Sequence, residues 1–150
     1  MRYDKIVSYI DKGEEGLTQL LTDCADAINE VEKYKDMFRE DAFATGDEYK
    51  QALNILTGQY MFFEPIFNVL QAVKEIEEDK AYSALRVEAE TGGKKMTADA
   101  LKIEAHKSVG LIIRTRNIFE SYVRSCEKAI ITVQSQLNRL ENNNKHKPVE

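Results

Sequence analysis

Small and apolar residues recur alternately four and three positions apart through the last third of the chain: Ala105, Val109, Ile112, Arg116, Phe119, Val123, Cys126, Ile130, Val133, Leu137 and Leu140. A repeat of about 3.5 residues keeps one stripe of a helix turned toward a partner, so the spacing predicts a helix over 97–141 packed in a coiled coil or bundle. The alternation also runs through Leu17, Leu21, Cys24, Ile28, Val31, Tyr34 or Lys35, Phe38 and Ala42, predicting a first long helix over 15–43. A short helix over 2–12 precedes it, with Ile6, Val7 and Ile10 inward, closed by Gly13 and loosened again by Gly16. Gly46 reads as a stop and Asp47 as the N-cap of the next element.

That element, over 47–90, carries Tyr49, Leu53, Leu56, Tyr60, Phe63, Phe67 and Leu70, and its apolar face continues through Val73, Ile76, Ala81, Ala84 and Leu85. Pro65 lacks the N–H that would bond the carbonyl of Met61, which predicts a kink near 61–65. The aromatic cluster around it, Tyr60, Phe62, Phe63 and Phe67, reads as core packing. Thr91-Gly92-Gly93-Lys94-Lys95-Met96 breaks the pattern, and Thr97 suits an N-cap with Asp99 in the first turn. The two flanking arms, each roughly 65 Å long at about 1.5 Å per residue, can pair antiparallel over their full length. Equal arms set the Tyr60–Phe67 cluster opposite Phe119, Tyr122 and Cys126, and Arg116 near Gln71 and Glu75. The fold expected is all-α: an elongated antiparallel helical hairpin, kinked at Pro65, with an N-terminal long helix packed on it. Residues 1–141 form one domain in this reading, and 142–150 a disordered tail.

Composition narrows the class. Charged residues make up 31% of the chain, and no apolar run approaches the roughly 20 residues needed to span a bilayer. A soluble cytoplasmic protein without membrane contact is expected. Cys24 and Cys126 each fall on an apolar stripe and read as reduced core thiols. The net charge of −5 conceals an asymmetry, since residues 1–90 hold 10 Lys/Arg against 20 Asp/Glu and residues 91–150 hold 11 against 6. Either the acidic and basic halves pack on each other, or the basic half meets an anionic ligand. Ile113, Ile118, Tyr122 and Ile131 supply a second apolar face outside the seam, which points to a homo-oligomer.

Candidate chemistry is sparse. Arg116 occupies a seam position, where a guanidinium needs a carboxylate, water or a partner's anion. Lys107, Arg114, Arg124 and Lys128 spread around the same helix, and Lys94 and Lys95 sit in the Gly-Lys turn, a mobile basic tip suited to a phosphate backbone. That turn lacks the preceding strand and the Gly-Lys-Ser/Thr end of a nucleotide-hydrolysing P-loop. His106 and His146 are the only histidines, too few for a histidine metal site or a Ser-His-Asp arrangement. Glu104 and His106 have the wrong spacing for a di-iron bundle. Glu75, Glu77, Glu78 and Asp79 lack the second carboxylate pair of a helical Mg²⁺ site. No enzymatic activity, cofactor or metal is expected.

The run Ala81-Tyr82-Ser83-Ala84-Leu85-Arg86, the Gly-Lys turn, Met96-Thr97-Ala98-Asp99 and the long helix after it resemble small helical phage proteins. Within that group the stretch over 75–140 is similar to the UvsY-type recombination mediators, helical-hairpin proteins that oligomerise and help a recombinase load onto single-stranded DNA. The resemblance implies backbone-contacting roles for Arg86, Lys94, Lys95 and the basic helix that follows. The function expected is thus a non-enzymatic, oligomeric binding or assembly protein of phage recombination or replication that contacts single-stranded DNA. One alternative is a virus-encoded inhibitor or anionic-ligand sponge acting on a host defence protein, with Arg116 and the kink aromatics lining its pocket. The other is a structural coiled-coil component of a larger assembly.

Overall fold

The computed structural model describes residues 1–145, and these are all-α, with helices α1 (Tyr3–Asp11), α2 (Gly13–Asp23), α3 (Ala25–Arg39), α4 (Gly46–Thr91), α5 (Ala98–Ser108) and α6 (Gly110–Lys145). Packing divides the chain into two compact units: unit 1 holds Met1–Leu20 and Pro65–Phe119, and unit 2 holds Leu21–Glu64 and Glu120–Glu150. α4 runs unbroken through Pro65, where the division between units falls.

Both long helices expected at the ends of the chain are in fact interrupted. The one over 15–43 is split at Cys24, which has φ −92 and ψ 0, and the N–H of Ile28 restarts the helical pattern on the Cys24 carbonyl at 3.0 Å. Thr22, Asp23 and Cys24 are all weak helix formers, so the chain reorients there while Cys24 stays buried. Its end also comes earlier. Asp41 adopts a left-handed φ of 50, the Ala42 N–H bonds the Met37 carbonyl and the Asp41 N–H bonds the Phe38 carbonyl. That is a Schellman stop, with aspartate in the position glycine usually takes. The heptad helix over 97–141 is interrupted at Val109, next to Gly110, and the Ser108 hydroxyl bonds the Ala105 carbonyl at 2.7 Å. Ala105, Val109 and Phe119 stay buried on either side of the break, so the apolar stripe outlasts the helix. Helix persists through 142–145, expected as tail, and 146–150, including His146, lie outside the described residues.

α4 starts one residue earlier than expected, with Thr45 rather than Asp47 as the cap. The Glu48 N–H bonds Thr45 Oγ1 at 3.3 Å, while Glu48 Oε2 accepts the N–H groups of Ala44 and Thr45 at 2.6 and 2.9 Å. This capping box satisfies donors that no helical carbonyl can reach, and those bonds hold the Glu48 carboxyl below its ordinary range.

In unit 1 the C-terminal half of α4 pairs antiparallel with α5 and the start of α6: Arg116 lies over the Phe67 ring at 5.9 Å, and His106 meets Glu78 at 2.9 Å. Thr115, not Arg116, takes the fully buried seam position, its hydroxyl satisfied by the Leu111 carbonyl at 3.1 Å, while Arg116 is half-buried beside it. Ile6, Tyr9, Leu17 and Leu20 bring α1 and α2 into the core with Ile66, Leu70, Leu101 and Phe119. Gly16 is required there: a Cβ would sit 1.9 Å from the Tyr9 carbonyl oxygen. It is a packing glycine in the body of α2, where a loosened helix start was expected.

In unit 2 Phe63 stacks on Tyr122 at 5.4 Å, as the expected register requires, and Tyr60 lies 3.4 Å from Glu127. α3 joins this pair through Glu30, which accepts from Gln59, and through Lys35, 6.0 Å from the Tyr122 ring. Phe43, outside any seam in the sequence pattern, pins the α3–α4 connection between Phe38 at 4.9 Å and Tyr49 at 5.0 Å.

Two helical glycines should respond oppositely to alanine. Gly16→Ala forces a methyl into backbone and is expected to cost about 2 kcal/mol or more, whereas Gly58 has open space around a Cβ and Gly58→Ala should stabilise by about 0.5–1 kcal/mol. Urea denaturation of both variants is the check; equal effects would contradict the tight α1–α2 contact.

Candidate functional site

Most of α4 up to Leu70 alternates buried and exposed positions, but none of its residues from 71 to 91 is fully buried. The hairpin of unit 1 therefore opens toward its turn. α4 ends as the Gly92 N–H bonds the Glu88 carbonyl at 2.8 Å, and Gly93 takes φ 68, a left-handed conformation that favours glycine. Four residues later Thr97 caps α5 by accepting from the Ala100 N–H at 3.2 Å. These two fixed points hold Lys94, Lys95 and Met96 over the gap between the helices.

The result is a groove of about 720 Å³ lined by Tyr82, Arg86 and Glu90 from α4, Lys94, Lys95 and Met96 from the turn, and Leu101 from α5, with Ala89, Gly93 and Ala98 completing its wall. Leu101 is only 5% exposed and gives the groove an apolar base. Arg86 bonds Glu90 at 3.0 Å through Nε, a contact that raises the guanidinium pKa and fixes its direction. Three cations thus share the groove with one carboxylate. Both partners of the Arg86–Glu90 pair are mostly exposed, so the pair itself adds little stability.

A smaller recess of about 320 Å³ shares Tyr82 and is lined by Glu78, Asp79, Lys102 and Ala105. Glu78 sits between Lys74 at 3.0 Å and His106 at 2.9 Å, and hydrogen bonds from Lys74 first and His106 second hold its carboxyl below the ordinary range. Among the described residues no group of three or more His, Cys, Asp or Glu side chains is arranged to hold a metal, and no helix is long and apolar enough to cross a membrane.

The basic residues singled out from the sequence do not share one patch. Lys94 and Lys95 line the groove. Lys107 lies in a separate recess with Ala84, Leu85 and Glu88 and is tied to Glu104 at 2.8 Å. Arg114 is exposed on α6, and Arg116 rests against Phe67. Arg124 and Lys128 belong to unit 2, where Arg124 is held by Glu120 at 2.6 Å and Lys128 is exposed. Tyr82, Glu90 and Leu101 were not legible as site residues. The available signal was the four-residue spacing of Tyr82, Arg86 and Glu90, which puts all three on one helix face.

The cysteines are buried and reduced. Burial, with the Glu127 carboxylate a lesser cause, pushes the Cys126 thiol up to about 11.

No protein-family model, curated protein or solved structure matches the chain.

Two outcomes follow. A thiol reagent at pH 8 should label neither cysteine in the folded protein and both in urea; rapid labelling of Cys126 while folded would show that the unit 2 core opens. Glu78, with a depressed folded pKa, contributes stability that is present above its unfolded value near 4.5 and lost as pH falls through the lower folded value. Glu78→Gln should accordingly flatten the fall in melting temperature on the acid side of pH 4.5.

Proposed function

We propose that this chain is a non-enzymatic, oligomeric binding and assembly protein that contacts single-stranded DNA through the basic groove at the hairpin turn. The observation that carries the reading is the convergence of Arg86, Lys94 and Lys95 on one groove with Glu90 as the only acid lining it. A nucleic-acid backbone rewards such clustering, because each neutralised phosphate releases condensed counterions. Arg86, Lys94 and Lys95 are also among the residues that the resemblance to UvsY-type mediators marks as backbone contacts, together with the basic helix that follows, and a role in phage recombination or replication belongs to the same reading.

Assembly is supported by large apolar side chains left in solvent. Ile76 is 53% and Ile103 56% exposed in unit 1, and Met61 is 68% and Ile131 63% exposed in unit 2. Isolated exposed residues of this kind are ordinary, but their recurrence along amphipathic helices favours self-association over a monomer.

The test is single-stranded DNA binding across a salt series, with the oligomeric state followed by light scattering. Binding should weaken steeply as salt rises. Lys94→Gln with Lys95→Gln should reduce the log–log salt slope by about 1.4, since a single strand loses about 0.7 per phosphate contact, while Lys50→Gln on the acidic stretch should leave it unchanged. Salt-independent or absent DNA binding rejects the proposal. Thermal stabilisation by free nucleotides without DNA binding would favour the ligand-sponge reading instead.

A further inference from the structure

Cations alone suffice to hold a phosphate backbone, and they do so from any exposed surface. The groove at the hairpin turn has something more: an apolar interior that a backbone contact does not need. Leu101 forms its base, Met96 is 37% exposed over it, and Tyr82 is a half-buried wall with a recess on either side. Ala89, Gly93 and Ala98 leave the space between these walls unfilled. The volume of about 720 Å³ lies within the range of small-molecule sites, about 300–1,000 Å³.

We infer that this groove seats one unpaired nucleobase against the Tyr82 ring, with Arg86, Lys94 and Lys95 on the phosphates that flank it. This rests on the proposed single-stranded DNA contact and adds to it the chemistry of the contact. An unstacked base is a flat apolar disc with a polar edge, and its two faces are expensive to leave in water. Tyr82 supplies a ring for one face, and Met96 and Leu101 supply apolar cover. The base edge requires a polar group, which the Glu90 carboxylate provides from the rim. The Arg86–Glu90 bond holds the guanidinium at the mouth of the groove, where the neighbouring phosphate passes, so it is partly ordered before the ligand arrives. A paired base has no access, because its faces are already stacked and its edge is engaged. The groove therefore selects single strands over duplex by exclusion, without reading sequence.

The experiment compares a short oligothymidine with an abasic oligomer of the same length and charge, on the wild-type protein and on Tyr82→Ala and Tyr82→Phe. The wild type should bind the abasic strand at least about tenfold more weakly, in keeping with measured base–aromatic stacking. Tyr82→Ala should lose the same factor on oligothymidine and nothing on the abasic strand, with an unaltered salt slope, and Tyr82→Phe should retain binding. Equal affinity of the wild type for both strands, with the Lys94 and Lys95 dependence intact, would overturn the base site and leave the DNA reading standing. Failure to bind either strand removes both. The wild-type comparison needs no substitution, so a Tyr82→Ala protein that fails to fold would not obscure the result.

Discussion

The register of α4 against the chain that returns after the Gly92–Thr97 turn is the constraint on which the rest depends. In unit 1 it brings Phe67 to Arg116 and Glu78 to His106; in unit 2 it brings Phe63 to Tyr122 and Tyr60 to Glu127. Phe63 and Phe119 are completely buried, and a slip of one residue would rotate either ring roughly 100° out of its core. Burying a phenylalanine stabilises by about 2–3 kcal/mol, so few such positions are needed to fix the register.

Where these large side chains give out, the architecture changes. Beyond Leu70 α4 presents half-buried valine, alanine and tyrosine to its partner, and α5 answers with Leu101 and Ala105. Side chains only half-buried along α4 do not fill the distance between two helices whose spacing is set by the fully buried residues elsewhere in the unit. The open groove at the turn is the consequence, and its polarity comes from the Gly-Lys turn lying across its mouth. Site and fold thus share one cause: a core that is rich in aromatics in one stretch and thin in another.

The electrostatics are local. Most of the ion pairs join residues three or four apart on one helix, such as Lys35–Glu32, Lys80–Glu77 and Arg124–Glu120, and they belong to the exposed class that contributes at most about 1 kcal/mol each. The His106–Glu78–Lys74 set is different, because it crosses from α5 to α4 and ties the hairpin near its open end. The charge asymmetry between the two parts of the chain is thus only in part taken up by pairing, and the groove cations Lys94 and Lys95 stand exposed at the turn.

Apolar periodicity determined the all-α class, the hairpin turn, the antiparallel pairing and the seam through Phe119, Val123, Cys126 and Val133, because a stripe repeating every three to four residues can be satisfied only by a helix against a partner. Arg116, expected near Gln71 and Glu75, lies instead over the Phe67 ring. The periodicity could not locate the helix ends. The breaks at Cys24 and Val109 and the stop at Asp41 preserve the periodicity of buried positions, so the pattern carries no trace of them; they depend on backbone dihedrals and single hydrogen bonds. Likewise Thr115, rather than Arg116, takes the buried position, its hydroxyl satisfied by the Leu111 carbonyl one turn back, a choice that depends on how the helices pack and not on the heptad count. The groove was out of reach for a related reason. Lys94 and Lys95 stood out as charges, and a four-residue spacing puts Tyr82, Arg86 and Glu90 on one face of α4, but Leu101 joins them only through the spacing between two packed helices, a distance the tertiary structure sets and no local pattern encodes.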